Sequence, residues 1–364
     1  MEEEIRKLKK KLEEKEEQVN SLINENNTFK KIIESNKLLK YKNIDDILFD
    51  KKLTKSMTGF QKNEFEELFQ LIEKDMSMIT TRGNPRKNIK AKKGKYNDRE
   101  IFFITLYWMK NYPKDEFMSF FFNLSRKYLM KILKNTTEIL YKRFSAFIKW
   151  PKEDEFLDYL EYFKNYTFEP FKNHICVVDG TEVQIRSPKK DQKDYYSVKK
   201  SQHSINFLII VLLDGRMIYV SKGKNNFNDQ SFWNKLKIRK KFVNKEYGII
   251  GDGGFYFNPQ KEEIEIKGIK PIKKDDKFSI IDQIFNESVA EIRVVVENTI
   301  GRIKNWNIIG GIFRHFSSIR GNIFDINKIF KICCYLTNYL IKKNPLRDSN
   351  WRQKNDPNAW NLFV

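Results

Sequence analysis

Apolar positions change period along the chain, and each period predicts a different kind of element. Over residues 1–36 they repeat every seven. Ile5, Leu12, Val19 and Ile33 share one heptad position with Asn26, while Leu8, Leu22 and Phe29 share the other, interrupted by Lys15. Such a seam, polar at one a position, predicts a short coiled coil that joins copies of the chain, with Asn26 setting its register. A single charged helix is the other reading. Residues 37–81 predict small helices, including Thr58 to Leu68. From Arg82 to Lys95 the periodicity stops: the stretch has seven positive charges, no acid, two glycines and one proline. This predicts a basic linker over 82–96, whose Arg86, Lys87, Lys90, Lys92 and Lys93 suit phosphate contacts without sequence preference. A solvated loop accounts for the same residues.

Over residues 97–150 the period becomes helical. Asn97-Asp98-Arg99-Glu100 is a capping-box pattern opening an apolar helix that runs to Tyr112 and is broken by Pro113. A short helix over 114–122, a turn at Asn123-Leu124 and a longer helix capped by Ser125 and running to about Phe147 complete a helix-turn-helix arrangement. Arg126, Lys127, Lys131 and Lys134 would then face DNA. An ordinary helical bundle with a wet lysine face fits the same pattern.

From about 174 the pattern turns to strands. Residues 175–179 read as one strand. The run from His203 to Leu213, a turn at Asp214-Gly215 and a return over Met217 to Ser221 read as a hairpin. A helix at about 229–241, a strand ending at Asp252, a short strand near Ile269–Ile272 and helices over about 280–305 and 323–343 follow. This order predicts an α/β domain over 151–344 whose core is ribonuclease-H-like: a mixed five-stranded sheet with helices. Ahead of it stand the all-α helix-turn-helix domain and the coiled coil. Residues 345–364 form a polar tail with Trp351, Trp360 and Phe363, aromatics suited to docking on the domain itself or on a partner.

Composition narrows the class of function. Lys and Arg outnumber Asp and Glu by 69 to 48 in 364 residues, a formal net charge of +21, which attracts polyanions, with nucleic acid the first candidate. No run of about 18 apolar residues predicts a membrane span, and the acidic Met1-Glu2-Glu3-Glu4 start does not resemble a secretory signal. Cys176, Cys333 and Cys334 lack zinc-ligand spacing, and a soluble protein of a reducing intracellular compartment is expected.

Against that basic background three carboxylates stand out. Asp179 ends the apolar run Ile175-Cys176-Val177-Val178, Asp252 ends Gly248-Ile249-Ile250-Gly251, and Glu297 lies on the helical stretch from Ala290 to Lys304. Two acids at strand ends and one on a helix can converge, and oxygen ligands suit hard divalent cations and two-metal phosphoryl chemistry. Glu182, three residues beyond Asp179, is expected on the opposite face of its strand. Asp229 is expected to start a helix as its cap. For Glu297 the alternative is an exposed ion pair with Arg293 at i,i+4 spacing. His203 reads as a packed histidine.

Six ordered stretches carry a family resemblance: Val178 to Glu182, Tyr195-Tyr196-Ser197 through His203, Asp214-Gly215, Phe227-Asn228-Asp229, Gly251 to Phe255, and Arg293 to Lys304 with its Arg-x-x-x-Glu-x-x-x-Gly-Arg-x-Lys pattern. Across about 174–310 the chain resembles the DDE transposases of the PIF/Harbinger kind and their bacterial insertion-sequence relatives. The resemblance implies that Asp179, Asp252 and Glu297 are catalytic and hold Mg²⁺ or Mn²⁺ as two ions. It further implies hydrolysis at transposon ends followed by strand transfer into target double-stranded DNA. Arg293, Arg302 and Lys304 are expected near phosphates, though surface ion pairing explains them too. An accessory DNA-binding partner protein is among the family's habits, and a nuclear location is expected in a eukaryotic host, a cytoplasmic one otherwise. The rival readings are a domesticated DNA-binding or scaffold protein without transposition, and a nuclease-like protein acting on RNA.

Overall fold

The computed structural model describes residues 12, 15–20, 22, 43–78, 95–164, 166, 169–225, 229–257, 265–275, 277–316 and 324–347. The chain divides into two compact units, Met1–Glu66 and Glu67–Val364. In the first, residues 15–20 are helical, and the seam residues Leu12, Val19 and Leu22 are exposed. The rest of the expected coiled coil lies outside the described residues. Helices α1 (Ile44–Phe49) and α2 (Lys51–Thr58) follow. Asn43 and Asp46 cap α1 reciprocally, and Asp50 ends α1 and caps α2 through Leu53 N–H at 2.9 Å. Helix α3 covers Lys62–Met78. The basic stretch with Arg86, Lys87, Lys90, Lys92 and Lys93 lies outside the described residues, as do the tail residues 348–364.

In the second unit the expected trio of helices forms: α4 (Asp98–Asn111), α5 (Asp115–Phe121) and α6 (Arg126–Phe144). Asn97 Oδ1 accepts Glu100 N–H at 2.9 Å while Asn97 N–H donates to Glu100 Oε2 at 2.7 Å, the reciprocal cap that the sequence announces. Tyr112 closes α4 in the left-handed region at φ 47°, and Pro113 cannot continue the helix. Ser125 accepts Tyr128 N–H to start α6. The buried face of α6 (Leu129, Ile132, Leu133, Thr136, Leu140, Phe144) packs on α4, α5 and the last helix, α10 (Ile326–Lys343). Lys127, Lys131 and Lys134 form an exposed stripe on its other side. Helix α7 (Glu153–Tyr162) has no counterpart in the sequence reading.

The sheet is built from β1 (Cys176–Gln184), β2 (Tyr196–Ser197), β3 (Gln202–Leu212), β4 (Met217–Val220), β5 (Ile249–Ile250) and β6 (Gly268–Ile269). Among the described residues it has six strands, not the expected five. The addition is the two-residue β2, which pairs antiparallel with the start of β3 through Tyr196 and His203. The main path runs β2-β3-β1-β5-β6, with β4 beside β3. β1 and β4 are antiparallel to β3; β5 is parallel to β1, and β6 to β5. The hairpin closes at Asp214-Gly215, where Gly215 takes φ +91°, a conformation that only glycine adopts cheaply. The expected single helix at 229–241 is interrupted: α8 (Asp229–Lys235) stops, and a tighter 3₁₀ segment covers Lys237–Phe242.

The long helix α9 (Ile280–Lys304), about 37 Å at 1.5 Å per residue, starts at a Ser279–Asp282 capping box. Val289, Ile292, Val295, Val296 and Ile303 bury one face, and α9 packs on β1 and β3. Thr299 Oγ1 donates to Gly215 O at 3.1 Å, tying the helix to the hairpin turn. From α10, Phe330 stacks on Phe207 of β3 with ring centres 3.9 Å apart. These contacts fix the height of α9 over the sheet, and that height sets which of its side chains reach β1.

Candidate active site

β1 delivers Asp179 after three buried residues, Cys176, Val177 and Val178. Its pairing with β3 runs without a break from Cys176 to Gln184, through Gly180. Asp179 and Gly180 are both half-buried, after which Glu182 and Gln184 are the half-buried positions while Thr181 and Val183 are buried. Alternation along this regular strand separates Glu182 from Asp179, yet both line one cleft of about 220 Å³, together with Gly180, Thr181, Lys199, Lys200, Asn206, Asp229, Glu297, Ile300 and Lys304. Glu182 is held there by two hydroxyls, Ser197 Oγ at 3.2 Å and Ser204 Oγ at 2.8 Å.

The helix contributes a stripe. Arg293, Glu297, Ile300 and Lys304 recur at spacings of four, three and four, so they share the side of α9 that faces the cleft. Arg293 Nη2 lies 3.6 Å from Asp179 Oδ2 and 3.7 Å from Glu297 Oε1, joining strand acid and helix acid through one guanidinium. The i,i+4 pair that the sequence offered as an alternative for Glu297 therefore forms, but as one side of a three-residue bridge. Arg293 Nε is buried with no hydrogen-bond partner among the described residues, and so is Thr181 Oγ1.

Asp252 stands two residues past β5, in a turn where its Oδ1 accepts Gly254 N–H at 2.9 Å. It does not line the cleft, yet its charge reaches both Asp179 and Asp229. Burial, the largest influence, pushes the Asp179 carboxyl up to about 6. Arg293 and the Gly180 N–H, which donates at 2.7 Å, pull it down, while Asp252 and Asp229 push it further up. Asp229 is likewise raised, first by burial and then by Asp252. Burial and the neighbouring Lys200 lower Lys304.

The donor chemistry fits a hard divalent cation: Asp179, Glu297, Asp252 and Asp229 supply only oxygen, and positive charge would relieve the repulsion that Asp252 exerts on Asp179 and Asp229. Among the described residues no three such side chains are already gathered at ligand spacing. The cation at the junction of Asp179 and Glu297 is the Arg293 guanidinium.

The other expected contact residues are distributed differently. Arg302 donates to Asn344 O at 3.3 Å, away from the cleft lining. Arg126, expected to face DNA, is hydrogen-bonded to Asp115 at 2.9 and 3.2 Å, and the same carboxylate meets His315 Nε2 at 3.4 Å. His203 is half-buried and meets the exposed Tyr196 edge-on. Lys199, Lys200 and Asn206 were missed as site residues. The lysines sit in a polar run with no period, and Asn206 is one polar position inside an apolar strand. Asp229 reads in sequence as nothing more than a helix start.

Residues 178–338 match the family described as DDE superfamily endonuclease. Over 147 residues the chain is 26% identical to a probable transposase for insertion sequence element IS702 from Microchaete diplosiphon, an alignment covering 40% of this chain and 52% of that protein. Over 140 residues it is 22% identical to the putative nuclease HARBI1 of Xenopus laevis, covering 37% of this chain and 40% of the relative. The chain thus spans about half or less of the length of these curated relatives. No solved structure matches it. The matched segment contains Asp179, Asp252 and Glu297, so the resemblance carried by the six stretches holds.

Proposed function

We propose that the chain, whose residues 178–338 match the DDE superfamily endonucleases, is a divalent-metal-dependent transposase. It would bind double-stranded DNA at transposon ends, hydrolyse the phosphodiester there and join the freed 3′ end to a target. The observation that carries this reading is the meeting of Asp179 from β1 and Glu297 from α9 on one cleft, bridged by Arg293. The strand order, with three antiparallel strands followed by two parallel ones, supports a ribonuclease-H-like core.

Asp179, Asp252 and Glu297 are the residues to hold Mg²⁺ or Mn²⁺. When bound, such ions supply Lewis-acid stabilisation of the phosphoryl oxygens and a nucleophile active near neutral pH. The chain's own residues do the rest. Arg293 keeps the strand and helix carboxylates in a common orientation. Lys199, Lys200 and Lys304 give the cleft mouth the positive charge that a phosphate backbone needs. The exposed stripe of Lys127, Lys131 and Lys134 on α6 supports a second DNA contact, as the helix-turn-helix reading requires. Arg302, tied to Asn344, and Arg126, tied to Asp115, would have to leave those partners to take part. Assembly through the seam over residues 1–36, and action in a nucleus, belong to the same proposal.

The test is cleavage of DNA carrying the sequences that flank the gene, in Mg²⁺ or Mn²⁺, by the wild type and Glu297→Gln. Cuts at element ends that vanish in the variant support the transposase. Specific binding with no cut, even in Mn²⁺, would transfer the assignment to a domesticated DNA-binding protein.

A further inference from the structure

We infer that Asp229 is a fourth carboxylate of the metal site, working opposite Asp179 across Gly180. The inference rests on the metal-dependent reading above and adds a ligand group to it. Asp229 heads α8, and its carboxylate reaches the backbone of β1 at Gly180. A methyl group built on Gly180 would overlap Asp229 Oδ1 and come within 3.1 Å of its Cγ. Gly180 does not need to be glycine for its own conformation, because its φ is not positive. The absent side chain makes room for the Asp229 carboxylate beside Asp179.

Two contrasts separate Asp229 from the other acids of the cleft. Glu182 has each carboxylate oxygen engaged by a serine hydroxyl and is thereby fixed as a structural acceptor. Asp229 accepts no hydrogen bond among the described residues, although it is half-buried and lines the same cleft. Its neighbours are charged: Asp252, Lys199, Glu182 and Arg293 all act on it. A half-buried carboxylate with no donor and two acids near it is costly unless a cation joins it. Beside it, the Thr181 hydroxyl is buried, lines the cleft and has no partner among the described residues, so the site holds a second oxygen without an assigned donor.

The alternative for Asp229 is purely structural, a favourable acid in the first turn of α8. The two roles make opposite demands. A structural acid stabilises the metal-free protein, and its loss lowers the melting temperature. A metal-site acid is repelled by Asp252 in the metal-free protein, and its replacement leaves melting unchanged or raises it.

The experiment is Mn²⁺ titration of the full-length protein at pH 7.5, followed by electron paramagnetic resonance of free Mn²⁺. The metal-free melting temperature is measured on the same samples. Wild type is expected to take up two Mn²⁺. In Asp229→Asn the weaker of the two should lose affinity by tenfold or more, with no fall in melting temperature. Gly180→Ala keeps every carboxylate but displaces Asp229, and it should reproduce the loss. Wild-type titration curves in both variants would overturn the role of Asp229 and leave the metal-dependent reading standing. No Mn²⁺ uptake by the wild type would remove both.

Discussion

Arg293 Nη2 lies 3.6 Å from Asp179 Oδ2, with side chains only 15% and 16% exposed, so a guanidinium on the long helix neutralises an acid on the central strand. The contact explains why Asp179 rises no further than about 6 despite its burial and its acidic neighbours. It also gives the helix a fixed rotation over β1, which brings Glu297 and Lys304 to the same cleft.

Asp179 should impose an acid limit on metal uptake. Its carboxyl is raised in the fold, so between its ordinary value of 3.8 and about 6 the native protein holds the extra proton. Its stabilising contribution is therefore present below the ordinary value and fades as pH rises through about 6. Metal binding needs the ionised form and runs the other way. Mn²⁺ affinity should fall below about pH 6, and a flat affinity down to pH 4.5 would contradict this account.

Replacing Arg293 by Gln should move that limit upward, because the guanidinium is the strongest influence holding the Asp179 carboxyl down. The expected outcome is a pH–uptake curve displaced to higher pH, with weaker binding at pH 7. A curve displaced to lower pH would mean that Arg293 acts chiefly by competing with the cation.

Asp115 is held down to about 2, first by the hydrogen bond from His315 and also by Arg126. The sign is that of a paired acid: stability is present above pH 3.8 and is lost as pH falls toward 2. Asp115→Asn should cost about 2 kcal/mol at pH 7, in line with the loss of charge-assisted hydrogen bonds. Urea denaturation of the two proteins would measure it, and a difference below about 0.5 kcal/mol would show that the cluster is not holding α5 and α6 to residues 313–316.

The packing of α10 on the sheet can be tested away from any charge. Phe207 and Phe330 are both buried and stacked. Phe330→Ala should destabilise the second unit by roughly 3–5 kcal/mol through lost burial and the cavity left behind. Thermal or urea unfolding gives the value directly.

Changing Lys127, Lys131 and Lys134 together to Gln should leave the fold intact, since all three are exposed. If this stripe meets phosphates, the slope of log affinity against log salt should become shallower by about 2 to 3. An unchanged slope would assign the stripe to solvent and α6 to an ordinary helical bundle.

Much of the architecture is written locally. Asn97-Asp98-Arg99-Glu100 names the start of α4, Pro113 its end and Ser125 the start of α6, because caps and breakers act within four residues. Asp214-Gly215 names the hairpin for the same reason. Asp179, Asp252 and Glu297 were legible as candidates because acids that end apolar runs, and one in an Arg-x-x-x-Glu-x-x-x-Gly-Arg pattern, are conspicuous in a chain of net charge +21. What the chain could not announce depends on distances through space. The strand-to-helix bridge by Arg293, the sharing of one cleft by Asp179 and Glu182 and the approach of Asp229 to Gly180 come from the docking of α8 and α9 on the sheet. The tying of Arg126 to Asp115 and of Arg302 to Asn344 arises in the same way. Local patterns specify which residues are helical, extended or turned, since those choices rest on neighbouring side chains and backbone sterics. Which acids meet, and which cation stands between them, is decided only when the elements pack.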